Sequence, residues 1–183
     1  MSGVDPHERL CRLFSAQAAK AMLRQRVAVA RWQGTDHFYE RVQGALGGVV
    51  DSDAIVVAQE LTMLAQPLPE DTELWRGIRS IEKTFGVGRA NIESVAGRKW
   101  IENRFTSSTV SPEKAAPEFT HPGQTPAIMQ IIARPGTPAV WIPPLGNPVY
   151  TGQSELLFVA GITVRILDIG VSGAMALIRV EVT

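Results

Sequence analysis

Apolar residues fall first at helical spacing and then at strand spacing, and the change comes near Pro67. Leu10, Leu13, Phe14, Ala18 and Ala21 recur at i, i+3, i+4, i+8 and i+11. That stripe predicts a helix over 5–31, with Pro6 in its first turn. Gln17 is the one polar residue on the stripe, and Gly34 breaks it. A second helix carries Phe38, Val42, Ala45 and Leu46, capped by Thr35 or Asp36 and ended by Gly47 and Gly48. A third starts at Asp51, Ser52 or Asp53, puts Ala54, Val57, Leu61 and Leu64 on one face, and is stopped by Pro67 and Pro69.

From residue 72 the pattern shortens. Residues 72–78 read as a first strand, and 90–101 as a short helix and strand entry with Ile92, Val95, Trp100 and Ile101 inward. Gly86 and Gly88 mark a turn, since no third glycine makes them a dinucleotide fingerprint. Residues 105–109 form a second strand, and 110–125, rich in Pro, Glu, Thr and Gly, form a loop. Residues 127–134 are an apolar central strand, 139–142 a short apolar segment, and 144–152 a loop. Two closing strands, 163–169 and 174–182, are joined by a turn over 170–173. The imperfect alternation around Val164 to Leu167 predicts a sheet covered on both faces. Helices followed by strands give an α+β domain with the helices on one side of a sheet.

Composition works by exclusion. The chain has 183 residues, 45% hydrophobic and 20% charged, enough for one domain with a core. Lys+Arg and Asp+Glu are both 18, so the formal net charge is zero. A general nucleic-acid binder would need a basic excess. Cys11 is the single cysteine, and His7, His37 and His121 are far apart, which leaves no internal disulfide and no metal-ligand spacing. No apolar run approaches the roughly 18 residues that span a bilayer. The first residues contain no signal-peptide hydrophobic region.

Candidate chemistry gathers where the loop over 144–152 enters a strand: Tyr150, Thr151, Gly152, Gln153, Ser154, Glu155, then Leu156, Leu157 and Phe158. Residues i and i+2 of an extended segment share a face, which aims the Gln153 amide and the Glu155 carboxylate into one space. A carboxylate there can stabilise positive charge developing in a transition state. The amide can orient a second reactant but is no base at neutral pH. Alone, the pattern also fits a solvated strand end. Two further stretches bear on it. Arg76 stands mid-strand between Trp75 and Gly77, where a charge needs a partner or a phosphate. Gly77 lets a ligand approach the backbone. Phe105, Thr106, Ser107, Ser108 and Thr109 make a strand with a run of hydroxyls. In this order the three stretches resemble the bacterial mono-ADP-ribosyltransferases, with their Arg strand, Ser-Thr-Ser strand and Glu-x-Glu or Gln-x-Glu loop. The likeness is greatest to the Rho-modifying exoenzyme branch, where an aromatic-x-Gly-Gln-x-Glu loop precedes Leu-Leu, and it spans 36–183.

The resemblance implies a single ADP-ribosyltransferase domain over 1–183: a catalytic core over 36–183, with residues 1–35 as a lid or linker. It implies N-terminal helices packed on a mixed, mostly antiparallel two-sheet core. It also implies NAD as substrate and no metal. Glu155 would stabilise the cationic ribose, and Ser107 would position Glu155 and help hold that ribose. Arg76 would contact the diphosphate, and Gly77 would bond the nicotinamide amide through its backbone. Tyr39 and Gln43 stand where the family helix presents Asn and Arg, so Gln43 is a cofactor-side candidate and one phosphate contact is lost. Phe119 would stack on the nicotinamide or anchor its loop. Gln153 would hold the acceptor, with Tyr150 packing on the target surface. An amide suits a neutral acceptor such as Asn, Gln or Thr, whereas Glu there goes with arginine. The implied protein is a monomeric secreted toxin or effector acting in the cytosol of a target cell. Its target protein would be of the Rho-type GTPase kind, with a delivery domain or an immunity protein outside this chain. On the residues alone three alternatives stay open: NAD glycohydrolase, arginine- or DNA-guanine-directed transfer, and a non-enzymatic binding module of the same fold.

Overall fold

Three helices, not one, occupy the N-terminal segment: α1 (Pro6–Leu13), α2 (Ser15–Lys20) and α3 (Leu23–Trp32). The breaks follow from where the apolar side chains must go. Leu10 and Phe14 enter one core, while Ala28, Val29 and Trp32 enter another. Gln17 lies between them and is 6% exposed. Its amide donates to the carbonyls of Leu64 at 3.0 Å and Ala139 at 3.1 Å, and accepts from the Trp141 N–H at 3.0 Å. The polar residue that interrupts the stripe therefore satisfies three backbone groups of other elements. The computed structural model describes residues 4–119, 125–173 and 175–183, with the side chains of 116–119 left out of the description.

Helices α4 (Phe38–Leu46) and α5 (Ser52–Leu64) form where their stripes predict, but α4 starts after His37, left-handed with φ 57° and without a side-chain cap bond, in place of the expected Thr35 or Asp36 cap. The Asp51 carboxylate accepts from the Ala54 N–H at 3.1 Å. Two short helical turns, α6 (Ile81–Phe85) and the 3-10 turn Arg89–Val95, come later. A helix α7 (Pro112–Phe119) replaces much of the loop expected over 110–125. Pro112 sits in its first turn, where a missing N–H costs nothing.

The strands are β1 (Gln66–Pro67), β2 (Thr72–Ile78), β3 (Lys99–Glu102), β4 (Thr106–Thr109), β5 (Ala127–Ala133), β6 (Pro138–Trp141), β7 (Glu155–Phe158), β8 (Ile162–Ser172) and β9 (Met175–Val182). Among the described residues they pair in the order β1-β6-β7-β4-β2-β5-β9-β8-β3. Every pairing is antiparallel except β5 with β9. One joint decides the architecture. β2 pairs with β5 along its whole length but meets β4 only at Trp75 and Thr109. The strands thus divide into a four-stranded and a five-stranded half. The helices α3, α4 and α5 pack with β6 and β7 around one core. The second core joins the two halves, with Ala139, Trp141, Leu156 and Phe158 from β6 and β7 meeting the apolar residues of β2, β5, β8 and β9, and it also takes Leu10 and Phe14 of the first helix and its end.

Three local expectations change. Ile101 points outward, 62% exposed. Period two in β3 turns Trp100 inward against Phe85, ring centroids 6.3 Å apart, and so turns its neighbour out. The hairpin of β8 and β9 pairs out to Ser172 and Met175, so residues 170–172 are strand and the turn lies beyond them. β8 buries Ile162, Val164 and Ile166 and exposes Arg165 and Leu167, so it is covered on one face. Its alternation slips at Leu167, where a bulge separates Ile166 from Asp168.

Candidate active site

Where β4 leaves β2, the gap between the two halves opens a cavity of about 930 Å³. On this side Arg76, Gly77 and Ile78 have no strand partner among the described residues. The guanidinium of Arg76 crosses the gap and donates from Nη1 to the Ser107 carbonyl at 2.6 Å. Burial pushes that guanidinium below its ordinary value and the nearby Arg79 adds to the push, while the charges of Glu102 and Glu155 oppose it. An arginine remains charged through such shifts at neutral pH. Gly77 is buried in the cavity wall next to Arg76. Arg79 and Lys83 line the cavity too and add positive charge to it.

Glu155 lines the same cavity and meets Arg76 through Ser107. It is the first residue of β7 and lies opposite Thr109, while Ser107 lies opposite Leu157. Ser107 and Glu155 are thus diagonal neighbours on one face, close enough for long side chains to meet. The Ser107 hydroxyl donates to Glu155 Oε1 at 2.6 Å. The Trp32 indole donates to the same oxygen at 3.0 Å. Two other hydroxyls of the run hold backbone. Ser108 donates to the Leu156 carbonyl at 2.9 Å and Thr109 to the Gln153 carbonyl at 2.8 Å.

Gln153 and Glu155 both line the cavity, although not by the extended geometry expected. Gln153 ends a 3-10 turn (Pro148–Gln153), and Ser154 is left-handed, with φ 50° and ψ 48°. A left-handed residue between them breaks the two-residue alternation, so the turn and the strand deliver the two side chains separately. That conformation costs a non-glycine residue about 1–2 kcal/mol. The Ser154 hydroxyl lies 2.9 Å from His7 Nδ1, a contact from the first helix that helps hold it. Tyr150 is half-buried on the same turn and does not line the cavity.

Gln43 lines the cavity but is committed elsewhere. Its amide donates to the Phe105 carbonyl at 2.7 Å and accepts from the Phe105 N–H at 3.0 Å, tying α4 to the entry of β4. This pair of bonds makes it a clamp between the two elements, with one N–H and one lone pair of the amide left over. The side chain of Phe119 falls outside the described residues. Trp32, Arg79 and Lys83 were absent from the sequence reading. Arg79 and Lys83 had a readable signal, two cations just after Gly77. Trp32 had none, because its partner lies 123 positions away. Arg24 and Arg31 face Glu60 and Asp36, and Arg26 donates to the carbonyls of Ala18 and Pro144, so all three are engaged away from the cavity.

Among the described residues no group of three or more His, Cys, Asp or Glu side chains gathers as for a metal, and no helix is long and apolar enough to cross a membrane. No protein-family model matches the chain, and no curated protein does. Solved structures do. Plx2a, an ADP-ribosyltransferase toxin from Paenibacillus larvae, superposes with a TM-score of 0.79 at 11% identity, covering 97% of this chain and 94% of that one. The C3 exoenzyme of Clostridium limosum gives 0.75 at 16% identity, covering 100% and 97%. C3stau2 from S. aureus, solved with NAD, gives 0.71 at 15% identity, covering 100% and 98%. The chain has the α+β fold of these ADP-ribosyltransferase toxins.

Proposed function

We propose that the chain is a mono-ADP-ribosyltransferase that takes NAD as substrate and passes ADP-ribose to a neutral side chain of a target protein. A shared fold does not decide function. The observation that carries the reading is the one cavity lined together by Arg76 and the Ser107–Glu155 pair, with Arg76 bonded to the Ser107 carbonyl. Its chemistry fits the dinucleotide. The cations Arg76, Arg79 and Lys83 in the lining suit a diphosphate, and the planar guanidinium of Arg76 suits it best. The open edge of β2 at Gly77 offers backbone groups to an amide. The carboxylate of Glu155 suits a ribose that turns cationic.

In the reaction the bond between the ribose and nicotinamide breaks, and its electron pair leaves with nicotinamide. A new bond forms from the acceptor nitrogen or oxygen to the ribose, and the acceptor gives up a proton. Glu155 stabilises the positive charge that develops in between. Ser107 fixes its carboxylate. Arg76 and the wall of β2 hold the rest of the substrate in one orientation, which lowers the entropic part of the barrier. Gln153 holds the acceptor, and Tyr150 packs on the target surface. An amide in that place favours Asn, Gln or Thr over arginine. The sequence resemblance points to a Rho-type GTPase as the target and to a secreted effector acting in the target-cell cytosol.

Incubation with labelled NAD and a cell lysate tests the reading. Labelled protein bands support transfer. Free ADP-ribose with no labelled protein means that water is the acceptor and the chain is a glycohydrolase. No NAD consumption at all contradicts the reading.

A further inference from the structure

The N-terminal segment grips the loop before Glu155 at three places. Gln33 Oε1 accepts from the Asn147 N–H at 2.9 Å, where the 3-10 turn begins. Gly146 makes this approach possible, since a Cβ there would overlap the Gln33 amide. His7 meets Ser154, the left-handed residue, and Trp32 meets Glu155 itself. Trp32 is 5% exposed. Its ring is set against Phe105 and Tyr39, with centroids 5.7 Å and 6.1 Å away. A ring so enclosed has little freedom, and a buried indole N–H needs an acceptor. Here the acceptor is the carboxylate that faces the cavity.

We infer that Trp32 is a positioning residue for Glu155, and that residues 5–33 are part of the catalytic unit. The inference rests on the reading of Glu155 given above. Two donors on one carboxylate oxygen, Ser107 and Trp32, fix the rotation of the group about its last bond. Loss of either donor loosens that hold. The strength of Glu155's interaction grows as the ribose becomes cationic, so misorientation costs more in the transition state than in the bound substrate. A Trp32 that merely packs α3 against β4 would affect stability and leave turnover alone.

The test uses the full chain with Trp32 replaced by 3-benzothienylalanine, which keeps the ring shape and puts sulfur in place of N–H. Trp32→Phe serves as a second variant made of ordinary residues. For both, kcat of NAD hydrolysis is expected to fall about 10-fold, the loss of one charge-assisted hydrogen bond. KM for NAD should stay within about threefold, because uniform binding is untouched. A kcat within about twofold of the parent overturns the inference, and so does a parallel loss of NAD affinity, which would make Trp32 a substrate-packing residue. An activity-free readout runs beside it. The indole N–H resonance of Trp32 should move on Glu155→Gln, and an unmoved resonance overturns the contact. A parent with no NAD turnover would overturn the proposed function, and the resonance would still decide the Trp32–Glu155 contact.

Discussion

Arg76 has two tasks that share one geometry. It bridges the gap to the Ser107 carbonyl, and it carries the buried positive charge of the cavity. Arg76→Lys keeps a charge but loses the planar fork, so NAD affinity should fall about 10-fold by calorimetry. Unchanged affinity would make Arg76 a purely structural residue. Gln153 and Tyr150 sit on the opposite side of the scheme. Gln153→Ala, Gln153→Glu and Tyr150→Ala should each remove protein modification while slow NAD hydrolysis stays nearly intact, because Glu155 still activates the ribose and water replaces the acceptor. Parallel loss of transfer and hydrolysis in all three would mean that the loop serves NAD alone. At this scale the sequence showed residue types better than their duties. Arg76, Ser107 and Glu155 stood out as candidates only through the order of their three short motifs, none of which is distinctive alone. Gln43 reads as a cofactor-side candidate and does line the cavity, and its amide also clamps the Phe105 backbone. No local pattern distinguishes those two uses of a glutamine.

The elements formed where caps and periodicity agreed and changed where tertiary contacts overrode them. α5 has an Asp cap, one apolar face and a proline stop, and it ends where those signals end. The first helix broke into three because its apolar residues feed two cores. Gln17 is the hinge of that arrangement. Gln17→Leu should cost about 2–4 kcal/mol, since it strands buried backbone groups of Leu64, Ala139 and Trp141. Urea unfolding checks this, and a change below about 1 kcal/mol would mean that water replaces the amide. The turn before Glu155 shows the same limit. Its residues could be read, but the left-handed Ser154 could not, because a serine carries no such preference. Its hold by His7 comes from an element 147 residues away.

Across the whole molecule, long-range ion pairs close the five-stranded half. Glu181 on β9 accepts from Arg134 at 2.7 Å and from Arg165 at 2.8 Å. The Arg134 hydrogen bond, followed by that of Arg165, holds the Glu181 carboxyl below its ordinary value. A depressed folded value means stability that is present above the unfolded value and lost as pH falls through the folded one. The gap in melting temperature between the parent and Glu181→Gln should therefore be constant from neutral pH to about 5 and narrow below about 4. A gap that stays constant in acid would mean that these pairs add no linkage. The division of the sheet into two halves at a single residue pair, and the cavity it opens, belong to this scale too. Strand order and splay depend on which strands meet, which a single sequence does not state. The cavity is the place where the central claim is exposed. NAD hydrolysis and NAD binding should be measured side by side for the parent and Glu155→Gln. Turnover should drop about 100-fold or more, because one preorganised charge is removed, while calorimetric affinity stays largely unchanged. Turnover within a few-fold of the parent would contradict the assignment of Glu155 as the group that stabilises the cationic ribose.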